Sequence, residues 1–333
     1  MWLWIKRIIL LALCLTLLAV AGARWYVLRP LTLRTDPAKF SIKPGSSLKS
    51  ATRQIVESGI ELNAFLFNLL GRLQGKAGAI KAGSYEVGSG ITPLALLDKL
   101  SAGEVTLTEL AFIEGWTFRQ LRAALDADPK LKHDSAGLSD AAIMARLGAA
   151  GRNPEGLFFP DTYAFGEGTS DLDLLKRAYT AMDSQLQAAW QQRAPDLPYR
   201  DPYEALIMAS VIEKETGQAD ERTLIGGVFV NRLRMGMLLQ TDPTVIYGLG
   251  EKFAGRLRKK DLLADTPHNT YTRGGLPPTP ISMPGLAALH AALNPAKTKA
   301  LYFVARGDGT SEFSRTLAEH ERAVAKYQRR RMH

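Results

Sequence analysis

Residues 201–217 read Asp201-Pro202-Tyr203-Glu204-Ala205-Leu206-Ile207-Met208-Ala209-Ser210-Val211-Ile212-Glu213-Lys214-Glu215-Thr216-Gly217, and the reading of this stretch decides the rest. Asp201 stands as an N-cap, Pro202 falls at the first helical position, and Glu204 sits where a capping box wants a carboxylate. Gly217 is a C-terminal stop signal. The pattern predicts one short helix. Ala205, Leu206, Ile207, Met208, Ala209, Val211 and Ile212 make it apolar nearly all the way round, and such a helix is buried. Glu213 lies on it, one turn from the end.

A carboxyl group on a buried helix needs an explanation. Desolvation disfavours its charged form and raises its pKa. A glutamic acid that keeps its proton near neutral pH can work as a general acid. The residues also allow a plainer arrangement, with Glu213 paired to a basic residue or turned outward at the helix end. Glu215 lies two residues on, about 200° round the helix, so the two carboxylates cannot share one face. Glu215 and Lys214 are expected to be solvated.

The chain has 333 residues, 46% hydrophobic and 23% charged, which leaves room for two or three domains. A net charge of +9 favours anionic surroundings. Nucleic acid is set aside, because the basic residues are scattered and no nucleic-acid module is recognisable. Cys14 is the single cysteine, so neither a disulfide framework nor a thiolate metal site can form. The five histidines show no ligand spacing, and no metal or other cofactor is expected.

Residues 1–30 form an N-terminal segment. Lys6 and Arg7 precede an apolar run over 8–23, and Trp25 and Tyr26 follow it. Trp2, Trp4, Trp25 and Tyr26 can act as interfacial anchors, with Lys6 snorkelling. The reading is an uncleaved single-pass signal anchor; a cleaved signal peptide is the rival, since Ala21-Gly22-Ala23 resembles a cleavage site. Both readings put the bulk of the protein outside the cytoplasm, in the periplasm or its equivalent, against the cell inner membrane.

Residues 31–105 read as a small α+β module. A strand ends at Ile42 before the Pro44-Gly45 turn, helices follow over 48–58 and 63–73, a second strand covers 81–87, and Thr92 caps a helix over 93–100. This order resembles a LysM-like peptidoglycan-binding module; a plain scaffold is the alternative.

The remainder, 106–333, reads as a mainly helical domain with short β hairpins and loops, so the fold class is α+β. A strand over 106–113 runs into Glu114-Gly115-Trp116-Thr117, and Thr117 caps a helix. The aromatic stretch 154–163 could line a sugar groove or fill the core, the latter suiting Phe158 and Phe159. Amphipathic helices are predicted over 172–193 and 220–235. Two loop stretches follow, 239–248 and 266–278. Loops on a rigid scaffold are where binding residues concentrate, and Gln240, Asn269, Thr241, Tyr247 and Tyr271 offer the donors and acceptors a sugar calls for. A short helix starts at Pro284, a hairpin turns about Gly307-Asp308-Gly309, and a basic, solvated helix is predicted over 317–331.

Several segments in this order carry a resemblance: Val211-Ile212-Glu213-Lys214-Glu215-Thr216, Val230-Asn231-Arg232-Leu233, Leu239-Gln240-Thr241-Asp242-Pro243-Thr244-Val245-Ile246-Tyr247-Gly248, Asn269-Thr270-Tyr271 and Gly275-Leu276-Pro277-Pro278. The chain resembles the endolytic murein transglycosylase (YceG-like) family. His268 and Thr279 depart from that family's usual residues. The resemblance implies that Glu213 is the catalytic glutamate of a peptidoglycan lytic transglycosylase. It implies cleavage between N-acetylmuramic acid and N-acetylglucosamine without water, with one group acting first as acid and then as base, and 1,6-anhydro ends as product. It further implies action on nascent glycan strands near peptidoglycan synthases, terminating elongation. Gln240, Asn269 and Tyr271 are then expected to orient the acetamido group and stabilise developing charge, with Tyr247 as a further candidate. Two other classes stay open. A hydrolysing muramidase would use a second carboxylate such as Glu155, Asp161 or Asp242. A non-catalytic envelope scaffold would treat Glu213 as structural.

Overall fold

In the computed structural model, which describes residues 2–327, the class is mixed α+β. The chain divides into two compact units. One runs to Glu109 and takes in Ala164–Thr169; the other holds Leu110–Tyr163 and the described residues from Ser170 on.

The first unit opens with α1 (Trp2–Leu28). Its stretch Trp4–Leu28 is long and apolar enough to cross a membrane. The helix thus runs past the apolar core at 8–23 and through Arg24. The elements that follow are β1 (Thr32–Leu33), β2 (Ala38–Ile42), α2 (Leu48–Glu57), β3 (Ile60–Glu61), α3 (Ala64–Leu73), β4 (Gly83–Val87) and α4 (Pro93–Ala102). Ser47, Asn63 and Thr92 each accept a backbone N–H as side-chain caps of the three helices, which satisfies donors the first turn leaves orphaned. β2 and β4 pair antiparallel with Phe40 opposite Tyr85, and the two rings stack at 5.5 Å. β2 alternates buried and exposed residues, so its inner face joins Ile55, Phe67, Leu96 and Leu100 in one core. Gly71 has no side chain where α3 crosses Leu48 of α2; a Cβ there would overlap the leucine.

The chain leaves this unit through β5 (Thr108–Ala111). The second unit holds α5 (Phe118–Ala127) and α6 (Asp140–Arg146), and the strand β6 (Thr162–Phe165) leads back to the 164–169 segment. It continues with α7 (Asp171–Gln191), α8 (Pro202–Glu215), α9 (Arg222–Arg234), α10 (Asp242–Leu249), α11 (Lys259–Leu263), α12 (Leu286–Leu293), β7 (Tyr302–Ala305), β8 (Ser311–Ser314) and α13 (Leu317–Tyr327). Phe158 belongs to the core, stacked on Phe118 at 5.1 Å.

The centre of the second unit is α8. Helices α7, α9, α10 and α12 all pack on it, and every residue from Ala205 to Ile212 is buried. Each of its large aliphatic side chains contributes about 1.5–3 kcal/mol on burial. Gly226 lets α9 meet the backbone of α12: a Cβ there would lie 2.5 Å from the Ala291 carbonyl oxygen.

Two expectations need correction. Asp201 does cap α8, accepting the Glu204 N–H at 3.0 Å, but the Glu204 carboxylate takes the Arg200 N–H at 2.7 Å in place of its capping-box partner. The Arg200 guanidinium draws it one residue outward. The 239–248 stretch is not all loop: from Asp242 it is helix α10, started by Pro243 in its first turn. The C-terminal helix is described to Tyr327, and the expected positions 328–331 lie outside the described residues.

Candidate active site

Glu213 is carried on the last turn of α8, and its side chain is 7% exposed. One carboxylate oxygen, Oε2, accepts the Gly285 N–H at 2.9 Å. Gly285 is the N-cap of α12, so Glu213 faces a helix N-terminus, which favours negative charge. The other oxygen lies 3.9 Å from the Arg222 guanidinium. Against these, burial and the neighbouring Glu114 carboxylate raise the Glu213 pKa, and the upward influences win. The group is a carboxyl poised above its ordinary range and held in one orientation.

The segment that brings Gly285 to α8 is itself pinned. Ile281 N–H donates to Ser210 Oγ at 3.0 Å and Ser282 Oγ to the Ser210 carbonyl at 3.1 Å. Residues 113–116 lie alongside, with Gly115 N–H on the Met283 carbonyl and Met283 N–H on the Trp116 carbonyl. This places Glu114 over Gly285 so closely that a Cβ at position 285 would overlap its carboxylate. Lys214, exposed on α8, donates from Nζ to the Gly115 carbonyl at 3.1 Å.

Glu114 is the carboxylate beside Glu213, and sequence reasoning missed it. The signal was a glutamate at the end of a strand, directly before a capped helix. Replacement Glu114→Gln removes a negative charge that holds the Glu213 proton. The Glu213 pKa therefore falls, and if Glu213 is the acid of a reaction, the alkaline limb of its pH–kcat/KM profile moves to lower pH. An unmoved limb would mean that Glu114 does not tune the acid.

Glu215 corrects a further expectation. It is not solvated: its side chain is enclosed and accepts a hydrogen bond from Thr241 Oγ1. Burial pushes its pKa up to about 7. It lines a cavity of about 580 Å³ together with Arg232, Gln240, Asp242, Tyr271, Tyr302 and His320. The Tyr271 hydroxyl donates to Asp242 Oδ1 at 2.6 Å. Gln240 has a positive φ of 50°, a strained conformation for this residue type, and its N–H is tied to the Thr270 carbonyl at 3.1 Å. Two of the four residues expected to bind sugar, Gln240 and Tyr271, are thus brought together beside Glu215, on the side of α8 away from Glu213.

The other two do not line that cavity. Asn269 is fully buried, and its Nδ2 donates to the Leu262 and Ala264 carbonyls at 2.9 and 2.7 Å while its Oδ1 accepts the Tyr271 N–H. It knits the 262–271 loop. The Tyr247 ring packs edge-on against His268 at 4.8 Å, and its hydroxyl bonds Glu155. Glu155 is buried, accepts the Phe118 N–H at 3.0 Å, and is pushed up to about 7 by burial. His268 and Thr279, the two departures from the family pattern, hydrogen-bond each other at 2.9 Å.

Glu155 and Glu215 both hold a folded pKa above the unfolded value of about 4.3. Between that value and 7 the unfolded state has already lost the protons the folded state keeps. Stability from each group is therefore fully present below about pH 4.3 and is lost as pH rises from there through 7, by about 4 kcal/mol per group. In Glu155→Gln the decline in denaturation midpoint between pH 5 and 7 should shrink. An unchanged slope would contradict the burial account.

Residues distant in sequence also bring Asp126, His133 and Asp171 to within 4.8 Å of one another at their ligand atoms, a group that histidine spacing alone could not reveal. Both Asp171 oxygens are already engaged by Ser135.

A family model described as the YceG-like family matches residues 40–326. The chain belongs to the YceG-like family. An endolytic murein transglycosylase of Bacillus subtilis (strain 168) is 32% identical over 305 residues, covering 86% of this chain and 84% of that protein. One from Streptococcus pneumoniae (strain D39) is 27% identical over 320 residues, covering 86% of this chain and 57% of its own length. The crystal structure of a yceG-like protein from Listeria monocytogenes, 30% identical, superposes with a TM-score of 0.54 over 85% of this chain and 98% of that one.

Proposed function

We propose that this protein is a lytic transglycosylase, a lyase that cuts peptidoglycan glycan strands internally and leaves 1,6-anhydro ends. The observation that carries the reading is Glu213: a largely buried carboxyl with a raised pKa on the central helix, oriented by the Gly285 N–H. The names of the Bacillus and Streptococcus relatives support the substrate and the endolytic mode. Glu213 gives its proton to the oxygen leaving N-acetylmuramic acid as the glycosidic bond breaks. The resulting carboxylate takes a proton from the C6 hydroxyl, whose oxygen closes on C1. Atoms balance without water. The Arg222 guanidinium and the Gly285 N–H steady the carboxylate between the two steps. Gln240 and Tyr271 hold the acetamido group of a neighbouring sugar, while Asn269 and Tyr247 support the loops that present them.

In this reading α1 is a single-pass anchor, the rest of the chain lies outside the cytoplasm, and the enzyme ends nascent strands beside the synthases that extend them. The length and apolar character of α1 support the anchor. The β2-α2-α3-β4 order supports a LysM-like module. The test is the length distribution of uncrosslinked glycan strands during digestion. Internal cutting shortens the mean length early; release of terminal units alone, or intact strands, would overturn the reading.

One observation favours a second reading. Glu215, not Glu213, lines the 580 Å³ cavity with Gln240 and Tyr271, and its pKa is about 7. In that reading Glu215 is the acid, and Glu215→Gln rather than Glu213→Gln would abolish cleavage.

A further inference from the structure

Helices α2 and α3 leave between them a groove of about 610 Å³ lined by Lys49, Arg53, Val56, Phe65, Leu69 and Arg72. The inner face of α3 carries Phe67 and Leu70 into the core. Its outer face shows Phe65 at 75% and Leu69 at 42% exposure. A helix apolar on both faces is one whose outer face is covered. Lys49, Arg53 and Arg72 rim that face, and none of the ion pairs among the described residues takes them up.

The position of the groove relative to α1 says what covers it. The Tyr26 hydroxyl, two residues before the end of α1, donates to the carbonyl of Asn63, the N-cap of α3, at 3.2 Å. Val27 packs on the core of the same unit, and Leu31 N–H reaches the Ile91 carbonyl at 2.8 Å. The module therefore follows α1 with little slack. The Arg29 guanidinium lies over the Trp25 ring at 4.8 Å, and such aromatic and basic residues occupy the headgroup level at the end of a span. The first turn of α3 stands at that level.

We propose that the α2–α3 face docks on the anionic phospholipid surface of the membrane that α1 crosses. Phe65 and Leu69 enter the boundary between headgroups and acyl chains, and Lys49, Arg53 and Arg72 meet lipid phosphates. A glycan strand is the poorer occupant, because Asn68 is the one neutral polar side chain lining the groove. The carboxylates Glu57 and Glu61 lie nearby in sequence on α2 and β3, and neither lines it. The inference rests on the reading of α1 as a membrane span.

The test uses the full chain reconstituted in vesicles, with Cys14→Ser and Phe65→Cys carrying an environment-sensitive fluorophore. Carbonate-resistant association of the same vesicles reports insertion of α1 separately. In phosphatidylcholine vesicles containing phosphatidylglycerol the probe should emit as in an apolar medium and be quenched by lipids labelled near the headgroup. Each basic side chain near an anionic surface strengthens association about fivefold. The double variant Arg53→Gln, Arg72→Gln should thus cut the docked-to-free ratio about twenty-five-fold, with circular dichroism unchanged. Water-like emission in anionic vesicles with α1 inserted would overturn the proposal. So would shielding produced by soluble glycan strands in detergent and not by lipid.

Discussion

Replacing Glu213 by glutamine should abolish cleavage, by on the order of 10²–10⁴-fold or more, while leaving the fold intact. Glutamine is isosteric and keeps an oxygen that can accept the Gly285 N–H. What it loses is the proton that, in the proposed mechanism, passes to the leaving oxygen and returns from the C6 hydroxyl. Little structure depends on the charge, since the Arg222 contact is long at 3.9 Å and opposed by Glu114. The matched variant Glu215→Gln should keep most of the activity and weaken substrate binding, seen as a raised KM. Rates on uncrosslinked peptidoglycan decide the matter. Full activity in Glu213→Gln would remove that residue from the chemistry, and loss confined to Glu215→Gln would move the acid to the other face of α8.

The largest stability effect is expected from Arg232→Met. Arg232, on α9, is buried; Nε donates to the Leu301 carbonyl at 2.7 Å, and Nη1 to the Leu238 and Leu239 carbonyls at 3.1 and 2.8 Å. Its guanidinium also lies over the Tyr302 ring at 5.1 Å and is the positive charge acting on enclosed Glu215. Methionine fills similar space but leaves three carbonyls without their donor and Glu215 without its counter-charge. The expected loss is about 3–5 kcal/mol, measured as a lower denaturant midpoint at unchanged slope. Lysine should recover only part of it, because a single ammonium cannot span all three acceptors. A loss below about 1 kcal/mol would mean that water replaces the guanidinium.

How much of this was legible beforehand depends on the range of the interaction. Local signals served well: Asp201 and Pro202 start α8, Thr92 and Thr117 cap their helices, and the 307–309 turn joins β7 to β8. Buried α8 followed from its all-round apolar pattern, and the family followed from ordered motifs on it and beyond. Features set by tertiary contacts did not. Glu215 looked solvated because nothing in α8 itself covers it; Thr241, 26 residues away, does. Glu114 reaches Glu213 only because residues 113–116 pair with Met283. Asn269 has the polar groups of a sugar ligand, yet it spends them on its own loop. Donor and acceptor type identifies a residue able to bind sugar, but not whether the backbone has already claimed it.

Transglycosylation without water leaves its mark in the mass of the new glycan ends. The protein is incubated with uncrosslinked peptidoglycan, and the fragments are analysed by mass spectrometry. The account predicts internal fragments ending in 1,6-anhydro-N-acetylmuramic acid, lighter by one water than hydrolysed ends and absent with Glu213→Gln. Reducing ends would contradict it and recast Glu114 as the base that activates water beside a Glu213 acid.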